Sequence, residues 1–194
     1  MRYEKGRKDA SRGRIMEAAA DRFRGDGIAA SGLATIMSDA GLTNGAFYPH
    51  FQSKAELVRE SVAAAMELQA QQIREALAAG GPEMAMEAYL SAEHRDNPGK
   101  GCASAALLPE ITRQPPETRE VYTDRLLVLV RELADALPQS KDPERAALAI
   151  FATLIGTLQM ARAVEGTALS DRILAAGKDA ARSLIQPLQE APAP

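Results

Sequence analysis

GLATIMSDAGLTNGAFYPHFQSKAEL, residues 32–57, contains the turn and the aromatic cluster on which the reading of the whole chain depends. Leu33, Ile36, Met37 and Ala40 recur at helical spacing and stop at Gly41, which predicts a short amphipathic helix ended by a glycine turn. Ser31 stands just before it as the expected N-cap, Thr43 caps a further short helix, and Ser53-Lys54-Ala55-Glu56 spells the capping box of the next. Two short helices joined at Gly41-Leu42 have the lengths of a helix-turn-helix, whose second helix enters a major groove of duplex DNA.

Side-chain direction fits that use. Phe47 and Phe51 lie four apart and share one face, as core anchors would; Asn44 and Tyr48, also four apart, share another. Tyr48 is then free to donate its hydroxyl to a phosphate. Gly45 lets backbone approach DNA closely, and Thr43, Asn44 and Ala46 offer short groups to base edges. His50, Lys54 and the amides starting the fourth helix are expected to hold phosphates. With Ser31 and Thr35 of the preceding helix, Ser31, Thr35, Thr43, Asn44, Gly45, Ala46, Tyr48, His50 and Lys54 are the candidate DNA-contacting residues.

Outward from this stretch the periodicity is helical nearly everywhere, and runs of alternating β-branched residues are absent, so the chain reads as all-α. Glycine and proline punctuation predicts nine helices, the fourth running from Ser53 to about Ala79, about 40 Å at ~1.5 Å per residue. The net charge of −3 looks wrong for a nucleic-acid binder until it is split along the chain. Residues 1–54 carry +3 and residues 55–194 carry −6, a basic head on an acidic body. The leading basic run, Arg2 to Arg14, reads equally as a solvated tail or as an arm lying along phosphates or in the minor groove. Cys102 is the only cysteine, so neither a disulfide within the chain nor a thiolate zinc cage is expected. The N-terminus lacks the apolar core of a signal peptide, and the run from Ala146 to Met160 looks too short to span a bilayer; a cytoplasmic protein is expected.

At this point the residues show a likeness. The pattern Gly27, Ile36, Ala40-Gly41, Thr43, Gly45, Phe47-Tyr48, His50-Phe51 and Lys54 resembles the DNA-binding domain of the TetR family of bacterial transcriptional regulators, over about residues 9–69 with the helix-turn-helix at about 32–51. The resemblance implies a three-helix DNA-binding head and a larger helical body, residues 70–194, that binds a small effector. It also implies a homodimer made by the last two helices, and repression relieved by ligand. Two positions depart from the family's pattern. Met37 stands where a small alanine is usual, and Pro49 lies inside the recognition helix, where the lost hydrogen bond and ring clash cost on the order of 3 kcal/mol. That helix should therefore be short or kinked.

No enzyme, cofactor or metal site is expected. Glu93-His94-Arg95-Asp96 lacks every companion of a kinase catalytic loop, Gly99-Lys100-Gly101 follows no strand, and the two histidines have no metal-ligand spacing. For the effector, a mostly apolar cavity with a few polar handles is expected, with Tyr89, Glu93, His94, Cys102, Leu107, Glu110, Tyr122 and Met160 as candidates. Cys102, expected in the first turn of a helix beside Lys100, opens a second possibility, a thiol that senses oxidants or electrophiles. The final two helices interleave Leu, Ile and Phe with Ala and Gly around much of their circumference, as a dimer's four-helix bundle requires.

Overall fold

The computed structural model describes residues 2–137 and 140–185, and these contain eight α-helices and two 3-10 turns. In chain order they are α1 (Arg2–Asp26), α2 (Leu33–Asp39), a 3-10 turn (Asn44–Ala46), α3 (Lys54–Tyr89), α4 (Ala92–Asp96), a 3-10 turn (Pro98–Lys100), α5 (Ala103–Ile111), α6 (Pro116–Asp135), α7 (Pro143–Ala163) and α8 (Thr167–Ile185). The all-α expectation holds, and the count differs from nine for local reasons. The third predicted helix is a single 3-10 turn. The fourth and fifth are joined as α3, whose helical backbone breaks at Gly80 and Gly81, and the end of the fifth is cut off at Ser91, which caps the separate short helix α4. Gly81 at φ 73° sits where only glycine is unstrained, and Pro82 starts the helix again, so the fourth helix does end at Ala79. The first part of the Pro138–Pro143 punctuation and the EAPAP terminus lie outside the described residues.

The chain folds as two units. One comprises the N-terminal part to Leu68 together with Pro98–Arg125; the other comprises Gln69–Asn97 and the chain from Leu126 onward. In the first, Ile15, Ala19 and Phe23 of α1, Ile36 and Met37 of α2, Phe47, Phe51, and Leu57, Val58 and Val62 of α3 are all buried. Fully burying side chains of this kind is worth roughly 1.5–3 kcal/mol each. Met37, the residue that departs from the family's alanine, is completely enclosed. α5 is tied to the turn after α1, because Glu110 Oε2 accepts the Ala29 N–H at 2.9 Å.

In the second unit α7 and α8 pack against each other at Gly177, where an added Cβ would lie 2.2 Å from Thr157 Cγ2. Arg162, in the last turn of α7, donates to the backbone oxygens of His94 and Arg95, while the Arg95 guanidinium reaches Ser170 and Asp171 of α8. Lys178 and Arg182 of α8 pair with Glu83 and Glu87. One expectation is corrected here: α7 has 21 residues and contains an 18-residue window of mean hydropathy 1.4, so by length and composition it could cross a bilayer. Its buried stripe, which includes Ala147, Ile150, Phe151, Leu154 and Leu158, is used within this unit.

Candidate nucleic-acid interface

The turn between α2 and the recognition segment is set by backbone hydrogen bonds. Leu42 N–H donates to Met37 O at 2.9 Å and Gly41 N–H to Ser38 O at 3.0 Å, the paired bonds of a Schellman motif, with Gly41 at φ 64°. The chain leaves α2 in one direction only. The start of α2 differs from expectation: Gly32 occupies the N-cap position, because Ser31 is buried and its hydroxyl donates to Gly27 O at 2.6 Å.

Beyond the turn, the recognition element is as short as Pro49 requires. Ala46 and Phe47 donate to Thr43 O and Asn44 O in 3-10 fashion, and α-type bonding appears only at Phe51, which donates to Phe47 O. Phe47 stacks on Phe51 with centroids 5.6 Å apart, and both are buried. Tyr48 meets Phe47 edge-on at 5.4 Å yet is 70% exposed. Thr43 occupies the N-cap position without a side-chain cap bond. Thr35, Thr43, Asn44 and Gly45 are exposed and Ala46 half-buried. At Gly45 an added Cβ would meet nothing within 4 Å, so nothing inside the protein requires glycine there.

The groups expected to hold phosphates are differently disposed. Glu56 accepts the Gln52 N–H at 2.6 Å and Ser53 Oγ accepts the Glu56 N–H at 3.1 Å, so two amides at the start of α3 serve its own capping box. Lys54 Nζ donates to Ile28 O at 2.6 Å. His50 is half-buried, and its Nδ1 is inaccessible and without a hydrogen-bond partner. Burial first, then Lys8 and Arg12, hold its imidazole below the usual histidine range. Sequence reasoning kept Lys8 and Arg12 only within a basic run that read equally as a solvated tail or a phosphate-binding arm; on the helix α1 their spacing of four puts them on one face. On another side of the head, α1 and α2 line an open groove of about 580 Å³ with Glu17, Asp21, Asp26 and Asp39, and Arg22 is tied to two of these carboxylates. Against these four carboxylates stand Arg14 and Arg22, so the groove is net negative and offers phosphate no favourable charge.

The effector candidates divide between the two units. Tyr89, Glu93, His94 and Met160 lie in the second, and Cys102, Leu107, Glu110 and Tyr122 in the first. Tyr89 lines an apolar cavity with Ile73, Met86, Leu133, Phe151 and Leu154. Its free volume of about 20 Å³ holds about one water, whereas a drug-sized ligand needs ~300 Å³ or more. His94 packs edge-on against Tyr89 at 4.7 Å and holds its carbonyl through Nδ1, while Glu93 is exposed and Met160 is 60% exposed. In the first unit Leu107 is buried and Tyr122 shares a hydrogen bond with Ser104 at 3.1 Å. Cys102 sits one position before the expected first turn. It is buried as the N-cap of α5, and its sulfur accepts the Ala105 N–H at 3.3 Å.

Residues 15–61 match the family described as bacterial regulatory proteins, tetR family. The HTH-type transcriptional regulator TtgR of Pseudomonas putida is 44% identical over 59 residues, a match that covers 30% of this chain and 28% of that regulator. Among solved structures, a TetR family transcriptional regulator from Cytophaga hutchinsonii aligns with a TM-score of 0.77 at 18% identity, covering 95% of this chain and 98% of the other. The reduced form of E. coli NemR aligns with a TM-score of 0.73 at 18% identity, covering 87% and 95%. Structural likeness at these identities shows the fold, whereas the sequence likeness to TtgR spans less than a third of that regulator.

Proposed function

We propose, from the match of residues 15–61 to the tetR family of bacterial regulatory proteins, a cytoplasmic, homodimeric transcriptional regulator that binds operator DNA and is released by a small effector. The observation that carries the reading is the division of labour in the recognition segment. Phe47 and Phe51 anchor it in the core, while Thr43, Asn44 and Tyr48 stand exposed beside a glycine that no protein contact requires. In this reading residues 9–69 bind DNA and residues 70–194 bind effector and the second subunit, with no enzymatic step. Leu148 and Met160 of α7 and Leu169 of α8 are exposed and apolar, which suits a second copy of the chain.

Paired heads would read half-sites about one helical turn apart, and effector would favour a state with the wrong head spacing. A coupling of ~1–3 kcal/mol is enough to do so, and both α3 and the Glu110 contact to Ala29 are suited to carry it. Selecting bound fragments from the source genome tests the reading. The expected result is enrichment of a near-palindrome whose affinity falls steeply with salt and falls again when effector is added. Salt-independent recovery of random fragments, or effector and operator binding without mutual influence, would show it to be wrong.

A further inference from the structure

We propose that Lys8 of α1 holds a DNA backbone phosphate beside His50, extending the interface from the recognition turn onto the first helix. The proposal rests on the DNA-binding reading above and adds to it a contact on a separate element. α1 is helical from Arg2 to Asp26, so Lys8 and Arg12, four residues apart, lie on one face. Arg12 shows where that face points: its guanidinium lies 4.8 Å over the Phe51 ring and pairs with Glu60 of α3. One turn earlier, Lys8 is exposed and pairs with no carboxylate among the described residues. The charged side chains whose fields reach the His50 imidazole are Lys8 and Arg12, both positive, and the nearby Glu60 is engaged by Arg12. Among the described side chains, this corner therefore combines the unpaired Lys8 cation with an inaccessible imidazole nitrogen that has no hydrogen-bond partner, and the nearby Glu60 carboxylate is already engaged by Arg12. A duplex supplies an anion in its phosphates, and a lysine ammonium binds one as a point charge without reading sequence.

The probe is a duplex enriched by the wild-type protein from a random library, with binding measured by fluorescence anisotropy across a salt series. Each phosphate contact contributes about 0.9 to the slope of log affinity against log salt. Lys8→Gln is expected to lower the slope by about that amount per bound subunit and to weaken enriched and random duplexes in equal proportion. Lys100→Gln, which removes the same charge from an exposed position in the 3-10 turn at Pro98–Lys100, should leave the slope unchanged. A Lys8→Gln slope equal to wild type overturns the site while leaving DNA binding standing, and so does an equal drop in both variants. A wild-type chain that enriches no duplex refutes the DNA-binding reading and the site together.

Discussion

Gly41 and Gly45 stand four residues apart, and the structure assigns them opposite roles that two alanine variants would separate. At Gly41 the backbone is left-handed, φ 64°, and both Schellman bonds depend on it. A Cβ there would lie 3.6 Å from Arg14 Nη1, an ordinary contact, so the cost of Gly41→Ala is conformational alone. An L-residue in this region costs roughly 1–2 kcal/mol, and the stiffer unfolded chain returns about 0.4–1 kcal/mol. The expected net loss is about 1 kcal/mol, a fall of roughly 2–4 °C in melting temperature for a chain of this size. Gly45 has no positive φ and open space around it, so Gly45→Ala should leave stability unchanged or raise it by a few tenths of a kcal/mol, roughly. Its methyl would instead meet the duplex. Operator affinity should fall about tenfold, ~1.4 kcal/mol. Urea denaturation and anisotropy on the enriched duplex measure the two quantities separately. A Gly41→Ala protein as stable as wild type would refute the turn assignment, and a Gly45→Ala protein with undiminished affinity would refute close backbone approach.

Three further outcomes are expected. Gly177→Ala would place a Cβ 2.2 Å from Thr157 Cγ2 and 2.7 Å from its Cβ, which no rotamer change relieves, so it should destabilise by ~1–3 kcal/mol despite alanine's helix propensity. Gly156→Ala, in open space, should stabilise by up to ~1 kcal/mol, and equal denaturation midpoints for the two variants would contradict the close α7–α8 contact. His94 is held below the usual histidine range chiefly by burial, opposed by its bond to the Tyr89 carbonyl and assisted by Arg162. The unfolded chain then binds more protons in mild acid, so this contribution to stability is present above about pH 6.5 and is lost as pH falls through the folded value. Urea midpoints from pH 8 to 5 should therefore fall less in His94→Gln than in wild type. Cys102→Ser replaces a sulfur acceptor by a better N-cap, so stability should hold or rise and release by electrophiles should be unaffected. Loss of an electrophile response in that variant would instead favour a thiol sensor.

Much of the head was legible because its signals are local. The helix end at Gly41 and the capping box at Ser53 and Glu56, like the break after Ala79 in the second unit, each depend on residues within a few positions of one another. Pro49 likewise announced a short recognition element, since a missing N–H and a fixed φ act on the adjoining turn. Ser31 was misread because its hydroxyl had two possible partners nearby. The Gly27 carbonyl prevailed over the helix amides as the Ser31 side chain was buried, a choice made by packing rather than propensity.

The effector candidates were chosen by residue type, and type does not say which residues meet. Glu110 was expected as a pocket handle and instead holds the backbone after α1, eighty-one positions earlier in the chain. What the sequence determined by itself was the helical class, the turn and the two-faced aromatic cluster, because periodicity, caps and φ preferences act within one or two turns of chain. What only the tertiary structure decided was which ionic and polar groups are engaged. Arg12 lies over Phe51, Lys54 is drawn to Ile28, and His50 is left beside cations alone, because burial and charge at any one residue depend on distant segments that folding brings within a few ångströms.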